Sequence, residues 1–221
     1  MLVCDLDDTL YKEIDFVKSS YRAIGAELES RGLMSAADVC ALLDSAPEMS
    51  AGIDRLLAAL SSACPGCGVT AGEIVEIYRS HTPEISLSPG VYDTLEALKK
   101  RGVKLGLITD GRSVTQRAKI EALGLYRFFD EDNILISGEI GADKHSDVPF
   151  RIMMERNPDV LHFAYVGDNP AKDFLWPNRL GWSTIMLKGD FRNLKPQYLD
   201  LPKEYQALFI VSSFAGVSDF C

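Results

Sequence analysis

Leu2-Val3-Cys4-Asp5-Leu6-Asp7-Asp8-Thr9 opens the chain with a short apolar run that stops in a cluster of acids. A run this brief and this apolar reads as a buried strand, with Asp5 to Thr9 carried at its C-terminal end. Two more runs end the same way. Val103 to Thr109 closes on Thr109-Asp110-Gly111, and His162 to Val166 closes on Gly167-Asp168-Asn169. Asn133 to Ser137, Ser183 to Leu187 and Ala207 to Ser212 read as further strands.

Helical patterns separate these runs from Ser88 onward. Ser88-Pro89 opens one that ends at Arg101-Gly102, with proline in the first turn and glycine as the stop. Ser113 and Gln116 form a capping-box pattern for a helix running to Leu123. Asp147-Val148-Pro149 opens another, and Asn169-Pro170 a fourth, with Asn169 as N-cap. Alternating helix and strand predicts a parallel sheet covered by helices, a Rossmann-like α/β core. Residues 15–79 show only helical periodicity, punctuated by Gly32, Pro47 and Cys64-Pro65-Gly66-Cys67-Gly68. We therefore expect a discontinuous core domain, 1–12 with 86–221, and an inserted helical cap, 13–85.

The chain has 221 residues, 47% hydrophobic and 25% charged, so it has ordinary globular composition. Its net charge of −9 argues against nucleic acid as a partner, because phosphate backbones need a basic stripe. A small anionic ligand at a locally positive site is still allowed. No signal-peptide or membrane-spanning pattern is expected, and the acids at positions 5, 7 and 8 stand where a signal peptide needs basic and apolar residues. Five cysteines, an odd number, suggest reduced thiols and a cytoplasmic protein. Cys64-x-x-Cys67 lacks a second pair, so we read it as two free thiols in a loop.

Ligands of open α/β sheets bind beyond the carboxyl ends of the strands. Asp5, Asp7 and Asp168 would meet there. Carboxylates so crowded repel one another unless a cation joins them. Hard oxygen ligands of this kind suit Mg²⁺ together with a substrate phosphate. Lys144 is a candidate charge for that phosphate and Thr109 a candidate hydroxyl donor. Lys12, Lys18, Arg79, His81 and Arg112 are candidate substrate contacts, Arg112 foremost because it directly follows Thr109-Asp110-Gly111.

Asp5-Leu6-Asp7-Asp8-Thr9 resembles the first motif of the haloacid dehalogenase superfamily, Asp-x-Asp-x-Thr. Leu107-Ile108-Thr109-Asp110-Gly111 resembles its second motif, Lys144 its third, and Gly167-Asp168-Asn169-Pro170-Ala171-Lys172-Asp173 its fourth. The four occur in the family's order across nearly the whole chain. The resemblance implies that Asp5 is a nucleophile forming an aspartyl-phosphate. It implies that Asp7 is the general acid and base, through a pKa near the working pH. Thr109, Asp110, Lys144 and Arg112 would meet the phosphate. Mg²⁺ would rest on the Asp5 carboxylate, the Asp7 carbonyl and Asp168, with Asp173 behind them or reaching the metal through water. An acid at position 7 points to phosphoryl transfer, because the dehalogenating members lack it. His145 departs from the proline that many relatives carry after the lysine.

The resemblance thus implies a Mg²⁺-dependent phosphatase acting on a small phosphorylated metabolite, with a helical cap. A phosphotransferase or mutase would use the same residues. A phosphorylatable signalling receiver also places acids, a threonine and a lysine at strand ends, but it has no counterpart of the insertion between Tyr11 and Ser88. A non-catalytic binding protein on the same fold would not need the five site residues intact. The sequence leaves the oligomeric state open.

Overall fold

The computed structural model describes residues 1–197 and 200–220. The chain divides into two compact units, Met1–Ile14 with Ser86–Cys221, and Asp15–Ile85.

The first unit is built on a six-stranded sheet in the order β3-β2-β1-β4-β5-β6. Its strands are β1 (Leu2–Cys4), β2 (Leu105–Thr109), β3 (Ile134–Ile136), β4 (Ala164–Gly167), β5 (Ser183–Leu187) and β6 (Phe209–Val211), and every neighbouring pair is parallel. This is the α/β architecture expected from the sequence. Each strand falls on the apolar run that announced it, trimmed by a residue or two in most cases. β1, β2, β3 and β4 are buried along their whole length, which is why they read as continuous apolar runs rather than alternating ones. Val3, Ile108, Leu135, Phe150, Met153, Tyr165, Phe174 and Trp182 form one contiguous core. Each large apolar side chain buried there contributes about 1.5–3 kcal/mol.

Around the sheet run α5 (Val91–Lys100), α6 (Ser113–Ala122), α7 (Ser137–Ile140), α8 (Val148–Arg156) and α9 (Leu175–Arg179). Three helix starts differ from the sequence expectation. α5 begins at Val91, not at Ser88-Pro89, with Gly90 as its N-cap in a left-handed conformation (φ 78°) that glycine adopts freely. The capping box at Ser113 does not form. Arg112 holds the N-cap position, Ser113 Oγ donates to Glu139 at 2.6 Å, and Gln116 turns inward. Asn169-Pro170 does not start a helix either, since α9 begins only at Leu175. There the backbone N–H of Asn169 is claimed by Asp173 Oδ2 at 2.8 Å, and residues 169–174 form turns instead.

The second unit packs the rest of α1 (Glu13–Ser30) with α2 (Ala36–Asp44), α3 (Met49–Ala63) and α4 (Ala71–Ser80). Its core is Tyr21, Ile24, Leu28, Val39, Leu43, Ile53, Leu56, Leu60 and Ile74, mostly spaced three or four apart on each helix, as an amphipathic face requires. Ser35 and Thr70 cap α2 and α4 by accepting from Asp38 N and Glu73 N. Cys64 and Cys67 are free, joined by a turn in which Cys67 N donates to Cys64 O. Among the described residues no helix is long and apolar enough to cross a membrane.

Candidate active site

Parallel pairing places the ends of β1, β2 and β4 side by side, because Cys4 is in register with both Leu107 and Val166. The residues just beyond these strands are therefore neighbours. Asp5 N donates to Val166 O at 2.9 Å, which prolongs the pairing and fixes the root of its side chain. Asp8 then takes a left-handed conformation (φ 57°), unusual for a non-glycine residue. Its carboxylate compensates by accepting from Glu13 N at 3.0 Å and Leu194 N at 2.9 Å.

Asp5, Asp168 and Asp173 form a buried group, with one oxygen of each lying within 4.8 Å of the others. Lys144 enters this group fully buried. Its Nζ donates at 2.6 Å to Asp5 Oδ1, at 2.6 Å to Asp173 Oδ1 and at 3.2 Å to the Tyr165 hydroxyl. Gly167 makes room for Asp173, since a Cβ there would stand 2.5 Å from Asp173 Oδ2. Asp168 is steadied from the loop after β5, where Asn193 Nδ2 donates to its Oδ2 at 3.1 Å and Gln197 Nε2 to its carbonyl at 2.8 Å.

One lysine does not balance three carboxylates. Burial raises the Asp5 pKa to about 6; Lys144 draws it down and Asp173 pushes it back up. Burial also raises Asp168 to about 8, helped by Asp173 and Asp5. Desolvation works against the Lys144 ammonium, but Asp173 and Asp5 outweigh it and hold the group charged. Carboxylates kept partly protonated by burial, and further by their own crowding, are a donor set suited to a hard divalent cation. The residues present fit such a metal. Asp173 stands within the carboxylate group itself, closer in than a purely supporting residue.

Asp7 lies apart from that group. Its Oδ1 accepts from Lys119 Nζ at 2.6 Å and from the Tyr11 hydroxyl, and its Oδ2 accepts from Gln116 Nε2 at 3.0 Å. Burial pushes its pKa upward, but the Lys119 charge and the three hydrogen bonds prevail and hold it below the usual carboxylate range. The expectation of a pKa near neutrality therefore fails for the resting site, because donors surround this acid where other acids surround Asp5.

Thr109 is buried at the end of β2, and its Oγ1 accepts from Gln116 Nε2 at 3.1 Å. That leaves the hydroxyl hydrogen to donate elsewhere. Asp110 was expected against the phosphate. Its carboxylate is instead occupied by the Lys144 N–H at 3.1 Å and Lys172 Nζ at 3.1 Å, so it secures the two lysines. Arg112 is exposed at the start of α6. Lys12 is held by Asn193 Oδ1 at 2.6 Å and Asp190 at 3.3 Å, so it supports the loop after β5. His81 is a packed residue of the helical unit, not an open contact. Its ring bonds to Tyr78 O and Ser19 Oγ and lies 4.9 Å from the Phe16 ring. Lys18 is exposed and Arg79 half-buried in that unit. His145 is exposed, and its carbonyl accepts from Trp176 Nε1 at 2.8 Å, so the loop places Lys144 inward without a proline.

Sequence reasoning did not single out Tyr11, Lys119, Tyr165, Lys172 or Asn193, and it took Gln116 for a cap. One signal was present. Gln116 and Lys119 share a helix face with Ile120, so two polar residues stand where an apolar stripe was expected.

A parallel α/β sheet with carboxylates and a buried lysine gathered at its strand ends defines a site suited to a divalent cation and a small anionic ligand. The chain matches the haloacid dehalogenase-like hydrolase family over residues 2–187 and belongs to it. Among its relatives is the glyceraldehyde 3-phosphate phosphatase of Methanocaldococcus jannaschii, 29% identical, with 99% of this chain and 95% of that one covered. The protein of the same name from Methanopyrus kandleri is 31% identical over 87% of this chain and 86% of its own. In three dimensions the chain resembles the HAD-hydrolase YfnB from Bacillus subtilis bound to magnesium, with a TM-score of 0.66 at 19% identity, covering 99% and 96% of the two chains.

Proposed function

We propose that the protein is a Mg²⁺-dependent phosphatase that hydrolyses a small phosphomonoester through an aspartyl-phosphate on Asp5. The observation that carries this reading is the grip of buried Lys144 on Asp5 and Asp173 beside Asp168. It holds one carboxylate in a set orientation, as a nucleophile needs, and leaves the group short of positive charge. The bound cation would be held by Asp5 and Asp168, with Asp173 close by, and would supply charge neutralisation for the phosphoryl oxygens.

An Asp5 carboxylate oxygen attacks phosphorus, and the bond from phosphorus to the ester oxygen breaks. Asp7 delivers a proton to the departing alcohol. Water then attacks the phosphorus of the aspartyl-phosphate and gives its proton to Asp7. Inorganic phosphate leaves, and the Asp5 carboxylate is restored. Asp7 rests as a carboxylate, so the site is set for the second proton transfer and must be loaded with a proton for the first. Thr109 and Lys144 hold phosphate oxygens, and the inserted helical unit 15–85 is assigned as the cap. The names of the relatives put glyceraldehyde 3-phosphate first on the substrate panel.

The test is phosphate release from p-nitrophenyl phosphate and a panel of phosphorylated metabolites, with and without Mg²⁺. Release that requires Mg²⁺ and disappears in Asp5→Asn is expected. Release that persists in Asp5→Asn refutes the covalent route.

A further inference from the structure

Three donors on two separate pieces of chain converge on the Asp7 carboxylate. Tyr11 comes from the loop that carries Asp7, while Gln116 and Lys119 come from α6, more than a hundred residues away. All three donors are buried, Tyr11 at 0%, Gln116 at 2% and Lys119 at 3% exposure. The Gln116 amide is oriented without ambiguity. One end faces three acceptors, Asp7 Oδ2 at 3.0 Å, Thr109 Oγ1 at 3.1 Å and Asp110 O at 2.6 Å, so that end is the NH₂. Its other end, Oε1, is buried with no partner. A buried acceptor left unpaired costs roughly 1–3 kcal/mol. The fold keeps the amide in this position despite that cost.

Packing alone does not explain these residues. The Asp7 loop is already held by its own backbone, in a bridge between Asp7 and Tyr11 and in bonds from Thr9 N and Leu10 N to Leu6 O. An apolar residue at position 119 would fill the same space beside Ile120 without burying an ammonium. What such a residue would lack is a charge for Asp7, since removing one partner of a buried pair strands the other.

We propose that Tyr11, Gln116 and Lys119 form a cradle that aims the Asp7 carboxylate, with Lys119 as the principal positioning residue for proton delivery to the leaving group. This rests on the reading of Asp7 as the acid and base. Tyr11 and Lys119 fix one oxygen while Gln116 fixes the other, so the plane of the carboxylate and its side-chain rotamer are both set. Gln116 also ties Asp7 to Thr109, holding the acid and a phosphate-contacting hydroxyl at a constant separation.

The experiment compares phenyl phosphate with p-nitrophenyl phosphate. The two have nearly the same shape, but phenolate is much the stronger base and needs a proton to leave, whereas nitrophenolate does not. kcat/KM counts only the steps up to departure of the leaving group, so it isolates the first proton transfer. Lys119→Met is expected to lower kcat/KM for phenyl phosphate by about 10- to 100-fold, a part of the roughly 100- to 10,000-fold that general acid catalysis supplies. For p-nitrophenyl phosphate the loss should stay under about threefold. Lys119→Arg should recover most of the lost selectivity. Asp7→Asn runs alongside and should show the same selective loss, only larger. Equal losses on both substrates in Lys119→Met, with a selective loss in Asp7→Asn, overturn the cradle. No selectivity in Asp7→Asn instead overturns the assignment of Asp7 on which the cradle rests. Should Lys119→Met fail to fold, Tyr11→Phe removes one donor hydroxyl and carries the same comparison, and a non-selective loss there overturns the cradle equally.

Discussion

Lys144→Met tests the electrostatic heart of the site through stability alone, with no substrate required. The Lys144 ammonium is fully buried and lies 2.6 Å from Asp5 and 2.6 Å from Asp173. Methionine fills much of the same volume, so little of the effect comes from a cavity. The variant leaves Asp5, Asp168 and Asp173 clustered with their principal counter-charge gone. Breaking a buried pair by removing one partner costs about 3–5 kcal/mol. For a domain of this size each kcal/mol lowers Tm by about 2–4 °C, so a fall of roughly 6–20 °C is expected in the absence of Mg²⁺.

The carboxyls can escape part of that cost by taking up protons, which gives the prediction a second axis. Asp5 already sits at about 6 and Asp168 at about 8 with Lys144 in place, and removing the lysine drives Asp5 higher. A carboxyl raised above its unfolded value favours the folded state at low pH and loses that contribution as pH rises through the folded pKa. The Lys144→Met penalty should therefore be largest near pH 8 and shrink toward pH 5, read by calorimetry in a chelator. Asp173→Asn in the same background should recover part of the loss, because it removes one of the stranded charges. A Tm within about 2 °C of wild type, or a penalty that grows toward acid pH, would refute the reasoning.

Two further outcomes follow from the same geometry. Mg²⁺ bound as proposed would displace protons from Asp5 and Asp168, so its apparent affinity should rise from about pH 6 to about pH 8, by up to about tenfold per unit where one proton is released; titration calorimetry in buffers of different ionisation heat counts those protons, and a pH-independent affinity contradicts the shifts. Gly167→Ala should displace Asp173, because its Cβ would stand 2.5 Å from the carboxylate oxygen; we expect a loss of about 1–3 kcal/mol and weakened metal binding, and unchanged denaturant and Mg²⁺ titrations would show that Asp173 can give way without cost.

Much of this site can be read from one end of the chain to the other because its residues stand directly after strands. A fully buried strand is a short apolar run, and Asp5, Thr109 and Asp168 each mark where one stops. The helix starts were harder, because capping signals describe local competition that tertiary contacts can override. Asp173 takes the Asn169 N–H, and Ser113 turns to Glu139, so neither local pattern survives. The α6 donors were hidden for another reason. Gln116 and Lys119 acquire meaning only beside Asp7, 109 and 112 positions away, and a single sequence carries no sign of that pairing beyond a polar break in a buried face. Asn193 is the same case, since its partners Lys12 and Asp168 are distant in sequence and its own loop has no regular structure.

Asp5 and Asp7 stand two residues apart on one loop, yet their environments push them in opposite directions. Burial drives both pKa values upward, so depth does not separate them. The company each keeps does. Asp5 shares Lys144 with Asp173 and faces Asp168, so each added negative charge in its neighbourhood is bought at the expense of another. Asp7 has a lysine of its own, a phenol and an amide, all pointing inward. On the roles proposed for them, exchanging the two environments would leave the nucleophile smothered in donors and the acid too crowded to ionise. The proposed division of labour between two identical side chains thus follows from their partners, Lys119 serving Asp7 while Lys144 is divided between Asp5 and Asp173.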